Sequence, residues 1–176
     1  MTGTAFQAVV PVGATTGPIA VTTPAGTVTS VTDFIVDLAV VPVPVDISPQ
    51  TCPNLLNAKA GGFLRVAILG TGEFNATDVN PISLELIGVP PLRFSLQDVA
   101  TPLPSNGNDE CTDAGPDGFT DMTLRFEAQA VIQAIEASLG RPVSDGESII
   151  LPLTGELFDG TLIAGEDVVS IKRKGK

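Results

Sequence analysis

Short alternating apolar runs, cut every few residues by glycine or proline, constrain this chain more than anything else in it. Eighteen glycines and fifteen prolines are spread over 176 residues, and these two residues punctuate turns rather than fill helices. Val and Thr are frequent between them, as in strands. Apolar residues make up 43%, enough for a core, and the length suits one ordinary domain plus a fragment, or two small ones. No apolar run reaches the roughly 18 residues that a membrane helix needs. The expectation is a soluble, mostly β protein without membrane insertion.

Three segments differ in character. Residues 1–37 carry strand patterns near Phe6 to Val10, Pro18 to Thr22 and Asp33 to Val36. Residues 38–50 are rich in Val and Pro: Leu38, Val40, Val41, Val43, Val45 and Ile47 lie among Pro42, Pro44 and Pro49. Proline removes ladder donors, so this is an edge strand or a stiff connector, and a connector packed against a sheet is favoured. Residues 51–176 form the larger domain. Strands are expected at Leu64 to Gly70, Ile82 to Ile87, Met122 to Phe126, Ser148 to Leu153 and Val168 to Arg173. One helix is expected over Glu127 to Leu139. Val131, Ile132, Ile135 and Leu139 share a face there, Glu127 sits in the first turn, and Gly140 with Pro142 supplies the stop.

The formal charge is −11, and four of the nine basic residues, Lys172, Arg173, Lys174 and Lys176, stand together near the last position. So acidic a body repels phosphate backbones and excludes nucleic acid as a partner, while it suits divalent cations. The basic tail reads as a solvated terminus or an interaction site. The start, Met1-Thr2-Gly3-Thr4-Ala5-Phe6, shows no signal peptide, so the chain reads as a mature form or a piece of something larger.

Residues 113 to 121 hold the best chemical clue. Asp113, Asp117 and Asp121 are spaced four apart around Pro116 and Gly118. A hard cation such as calcium takes about 6–8 oxygen ligands, and a short loop gathers several only around a flexible residue. With Asp113 as the first position of an EF-hand-like loop, Asp117 is fifth, Gly118 sixth, Phe119 offers its carbonyl at the seventh and Asp121 is ninth. Gly115 and Leu124 occupy the third and twelfth positions, so two side-chain ligands are missing. Asp109, with Glu110, adds carboxylates to the same loop, near the ion or simply in solvent. The plainer reading is an acidic Gly/Pro turn between strands. Cys52 and Cys111 do not form a CxxC motif. In an exported protein they would most simply pair; in a cytosolic one they would be buried thiols.

The stretch Val10-Pro11, Gly13-Ala14-Thr15-Thr16-Gly17, Thr23-Pro24-Ala25-Gly26 and Phe34-Ile35-Val36 resembles the closing half of an IPT/TIG domain, an immunoglobulin-like sandwich of surface proteins. The resemblance covers residues 5–36 and lacks that domain's first half. It implies three orphan strands that need partners: the following domain, or strands of another chain by β-strand addition. Residues 50–172 resemble a module of exported, often multidomain, bacterial proteins. The phrases Cys52-Pro53-Asn54, Leu64-Arg65-Val66-Ala67-Ile68-Leu69-Gly70-Thr71, Phe74-Asn75-Ala76-Thr77-Asp78, Pro116-Asp117-Gly118-Phe119-Thr120-Asp121 and Leu153-Thr154-Gly155-Glu156-Leu157-Phe158-Asp159-Gly160 carry it. This implies an extracellular or cell-surface place, a calcium loop at the acidic turn, and no catalytic activity.

Several function classes fall away. The chain has no His, hence no ordinary general base near neutral pH and no zinc or Ser-His-Asp scheme. No Gly-rich phosphate loop precedes a helix. Asp109 and Glu110 are poor candidates for a glycosidase pair. Carbohydrate binding, as an accessory module of a secreted enzyme, is the rival reading, but the chain lacks the Trp and Tyr on which sugar rings stack. The fold expected is an immunoglobulin-like β-sandwich with one short helix, preceded by a partial IPT/TIG strand set. The function expected is a non-enzymatic structural or adhesive module held by a disulfide and calcium. It would self-associate into a filament or join neighbouring domains of a parent surface protein.

Overall fold

The structure, a computed structural model, describes residues 7–11, 14–37, 39–59, 61–103 and 111–173. It divides into two compact units, residues 1–39 and 40–176.

Unit 1 contains one antiparallel hairpin, β1 (Gly17–Thr23) with β2 (Gly26–Phe34). Pro24 and Ala25 make its two-residue turn, which the Thr23 hydroxyl braces by accepting from Ala25 N and donating to the Gly26 carbonyl. The register shifts between Pro18 and Ala20, where Ile19 N donates to Ser30 Oγ at 2.9 Å. Period-two alternation sorts the side chains. Ile19, Val21 and Val28 take one face, with Val21 opposite Val28, while Thr22 and Thr27 are joined on the other at 2.9 Å. The second strand begins at Gly26 rather than Asp33. Phe6 lies outside the described residues, and residues 7–11 form no strand.

Unit 2 is a mostly β sandwich with one helix. Among the described residues its elements are β3 (Val40–Pro42), β4 (Val45–Ile47), β5 (Leu55–Asn57), β6 (Phe63–Ile68), β7 (Glu85–Leu86), β8 (Arg93–Gln97), β9 (Asp121–Glu127), α1 (Ala128–Leu139), β10 (Ser148–Glu156) and β11 (Leu162–Lys172), with a 3₁₀ turn at Ala76–Asp78. One sheet runs β3-β11-β10-β7, and β5 also pairs with β11; the other runs β4-β6-β9-β8.

Alternation in the central strands builds the core. Leu64, Val66 and Ile68 of β6 stand opposite Phe126, Leu124 and Met122 of β9, and all six are buried. Leu151 and Leu153 of β10 and Ile163, Val169 and Ile171 of β11 meet them from the other sheet. Each such side chain stabilises the fold by about 1.5–3 kcal/mol. The helix adds Val131, Ile132 and Ile135 to the same core. Glu127 ends β9 and occupies the N-cap position without a side-chain capping bond, rather than sitting in the first turn; Leu139 is exposed, and Gly140 closes the helix in the left-handed conformation.

The Val/Pro-rich stretch is woven into both sheets. Val40–Pro42 pairs in parallel with Leu162 to Ala164 of β11. The chain then crosses the sandwich at Val43 and Pro44 and pairs antiparallel with β6 as β4. The prolines sit where the strands are short and the backbone changes sheets, which is where ladder donors are least needed. The crossing passes directly over Gly165, where a Cβ would strike the Val43 carbonyl and the Val45 side chain. Only a residue without a side chain fits below it.

Candidate functional site

Asp121 opens β9 and is fully buried on the outer face of its sheet, beside the small apolar cluster Ala67, Leu69, Val99 and Ala100. Its Oδ1 accepts from Gly70 N at 2.9 Å; its Oδ2 accepts from Val99 N at 2.8 Å and Ala100 N at 3.2 Å. One carboxylate thus ties the loop after β6 and the loop after β8 to the start of β9. Burial raises its pKa, against the three N–H groups that pull it down.

The acidic turn is stitched to the same loop. Asp98 accepts from two successive amides, Asp117 N at 3.0 Å and Gly118 N at 2.8 Å. Asp117 Oδ1 accepts from Phe119 N at 3.0 Å, and Thr101 donates to the Gly115 carbonyl at 2.8 Å. Gly118 has φ 99°, a conformation that side chains resist, which lets both amides point at Asp98. Cys52 and Cys111 form a disulfide with Cα atoms 5.2 Å apart, anchoring the loop's first described residue.

The candidate ligands are therefore distributed as follows. Both Asp121 oxygens face backbone donors, Asp117 braces its own turn, Asp113 and Phe119 are exposed, and Asp109 lies outside the described residues. Among the described residues, no three acidic side chains form a group that would hold a metal ion. Nothing in the local spacing singles out Asp98, although an Asp just after a strand is a usual brace for a neighbouring turn.

A second set of carboxylates lies where β4 meets β11. Asp167 Oδ2 accepts from Ile47 N at 2.6 Å and Asn54 Nδ2 at 2.9 Å, and its Oδ1 accepts from Val168 N at 2.7 Å. Asp46 is 7% exposed. Burial first, then the charges of Asp167 and Asp121, push its carboxyl up to about 7, with Arg65 pulling the other way. Asp167 is also raised, by burial above all. A folded-state pKa above the unfolded one means that the folded protein holds the extra proton between about pH 4 and 7. Stability of the metal-free protein is therefore expected to fall as pH rises through that window, by about 2–4 kcal/mol, and to level off above it. Urea unfolding in chelator at a series of pH values reads this directly; a flat profile would contradict it.

The chain matches no known family model and no curated protein. No helix among the described residues is long and apolar enough to cross a membrane.

Proposed function

We propose that this chain is a non-catalytic structural or adhesive module of the cell exterior, held by its disulfide and by calcium, and that unit 1 is completed by strands of a second copy. The observation that carries the reading is the β1–β2 hairpin. Its apolar residues are exposed: Val28 by 74%, Ile19 by 49%, with Phe34 and Ile35 beyond them. Among the described residues, β1 and β2 pair only with each other. A lone two-stranded hairpin is marginal in water, and open strand edges are templates for pairing with another chain. A head-to-tail contact of this kind that does not close into a ring builds a fibre.

The chemistry of unit 2 supports a holding role. Asp121, Asp98, Asp117 and Asp167 all accept backbone N–H groups, which fixes loops and offers no general base. The disulfide fits an oxidising compartment.

Size-exclusion chromatography with light scattering, followed by electron microscopy, tests the assembly. Concentration-dependent oligomers are expected, with slow hydrogen exchange at residues 17–34 only in the assembled fraction. A monodisperse monomer with those amides already protected would overturn the reading.

A further inference from the structure

The crossing from β3 to β4 leaves a gap along β11. β3 covers Leu162 to Ala164 and β5 covers Ser170 to Lys172, so Glu166 to Val168 face no strand on that edge. Side chains fill the gap: Asp167 reaches Ile47 N, and Asn54 donates to both Asp167 Oδ2 and the Val168 carbonyl. Both of those neighbours are acceptors, which fixes the Asn54 amide with its nitrogen toward them and leaves Oδ1 as the remaining atom.

Two oxygens in this place have no hydrogen-bond donor. They are Asp46 Oδ2 and Asn54 Oδ1, on side chains only 7% and 3% exposed. Asp46 directly precedes Ile47, whose amide is held by Asp167, and the Asp167 charge acts on the Asp46 carboxyl, so the two carboxylates are neighbours at the crossing, with Asn54 bonded to Asp167. A buried acceptor without a donor is costly and rare in folded proteins. Here both orphans are acceptors and the neighbouring group is a second carboxylate. Trapped water would supply donors but leave two buried carboxylates side by side, Asp167 offset only by its three N–H groups and Asp46 only by Arg65; a cation would answer both needs. The nearby cation, Arg65, is exposed at the surface.

We propose that a hard, oxygen-seeking cation, calcium, binds at this crossing, with Asp46 Oδ2, Asn54 Oδ1 and the Asp167 carboxylate as its protein donors. An all-oxygen donor set with two carboxylates and an amide suits calcium. The ion joins the two sheets, because Asp46 belongs to one, Asp167 to the other, and Asn54 leads into β5. This deepens the calcium part of the proposed function and rests on that reading for the identity of the ion.

Calcium chloride titrated into the chelator-treated full chain at about pH 8, where the carboxylates are ionised, tests the site by calorimetry and thermal melting. Saturable heat is expected, with a rise in melting temperature of about 5–10 °C. Asp117→Asn is expected to keep the rise. Asp46→Asn is expected to lose it while melting in chelator no lower than the parent, since it removes a buried charge; this separates lost binding from lost folding. A rise that survives Asp46→Asn and disappears in Asp117→Asn would assign the ion to the acidic turn and overturn the crossing site alone. No heat and no rise in the parent would overturn both, leaving a buried water or proton at the crossing. Strand addition is read separately, by oligomeric state.

Discussion

Asp121→Ala is expected to cost about 5 kcal/mol, because it strands three buried amides at once and each unsatisfied donor costs about 1–3 kcal/mol. The amides are those of Gly70, Val99 and Ala100, and no solvent reaches Asp121 to replace the lost acceptor. Against a typical total of about 5–15 kcal/mol, the variant is expected to be largely unfolded at room temperature or close to it. Asp98→Ala is the natural contrast. It removes two acceptors from an exposed turn, where water takes their place, so it is expected to cost less than about 2 kcal/mol. Urea unfolding of the two variants side by side gives the comparison. Equal losses would show that Asp121 is no more than another loop brace.

Opening the disulfide is the second large effect. Cys52 and Cys111 are separated by 59 residues, and closing a loop of that length stabilises the folded state by about 4 kcal/mol in the chain-entropy model. The double variant Cys52→Ala, Cys111→Ala is expected to lose that amount in urea, with the same midpoint reached by the parent chain under reducing conditions. The loss acts mainly through the unfolded chain, so the folded arrangement of Asp98, Asp117 and Asp121 is expected to survive in whatever fraction remains folded. A variant as stable as the parent would mean that the unfolded chain is already compact around this pair.

Elements with a full period of their own were legible in the sequence. The helix announces itself through Val131, Ile132 and Ile135 and stops at Gly140. β9 and β10 alternate because one face of each meets the core, while of β11 only the closing half, from Val168, is legible, its first half Leu162 to Asp167 being interrupted by Gly165, Glu166 and Asp167. Proline argues against a central strand, so the Val/Pro stretch reads as a connector; its two three-residue strands pair only because distant β11 and β6 run alongside. β8 was missed. Phe94 and Leu96 alternate with Arg93, Ser95 and Gln97, but the whole strand is exposed at a sheet edge, so the apolar contrast is weak. The expected strand at Ile82 to Ile87 shrinks to Glu85–Leu86, with Ile87 at a positive φ of 46° where the chain turns.

The candidate site divides in the same way. The two cysteines and the clustered aspartates of residues 113 to 121 stand out locally. Asp46, Asn54 and Asp167 do not, because 113 residues separate Asn54 from Asp167 and no local spacing relates them. What joins them is the change of sheet at Pro44, a tertiary event. Buried polar groups of this sort are visible only once the backbone that surrounds them is known.

Because β11 is the strand on which β3, β5 and β10 all pair, the first and last described strands of unit 2 complete each other. A ribosome that has released everything up to residue 160 has released a chain whose larger sheet lacks its spine. Folding of so non-local a pattern is slow and waits for the final stretch. Until then β3, β5 and β10 have no common strand to pair with, and the larger half of the sandwich stays open.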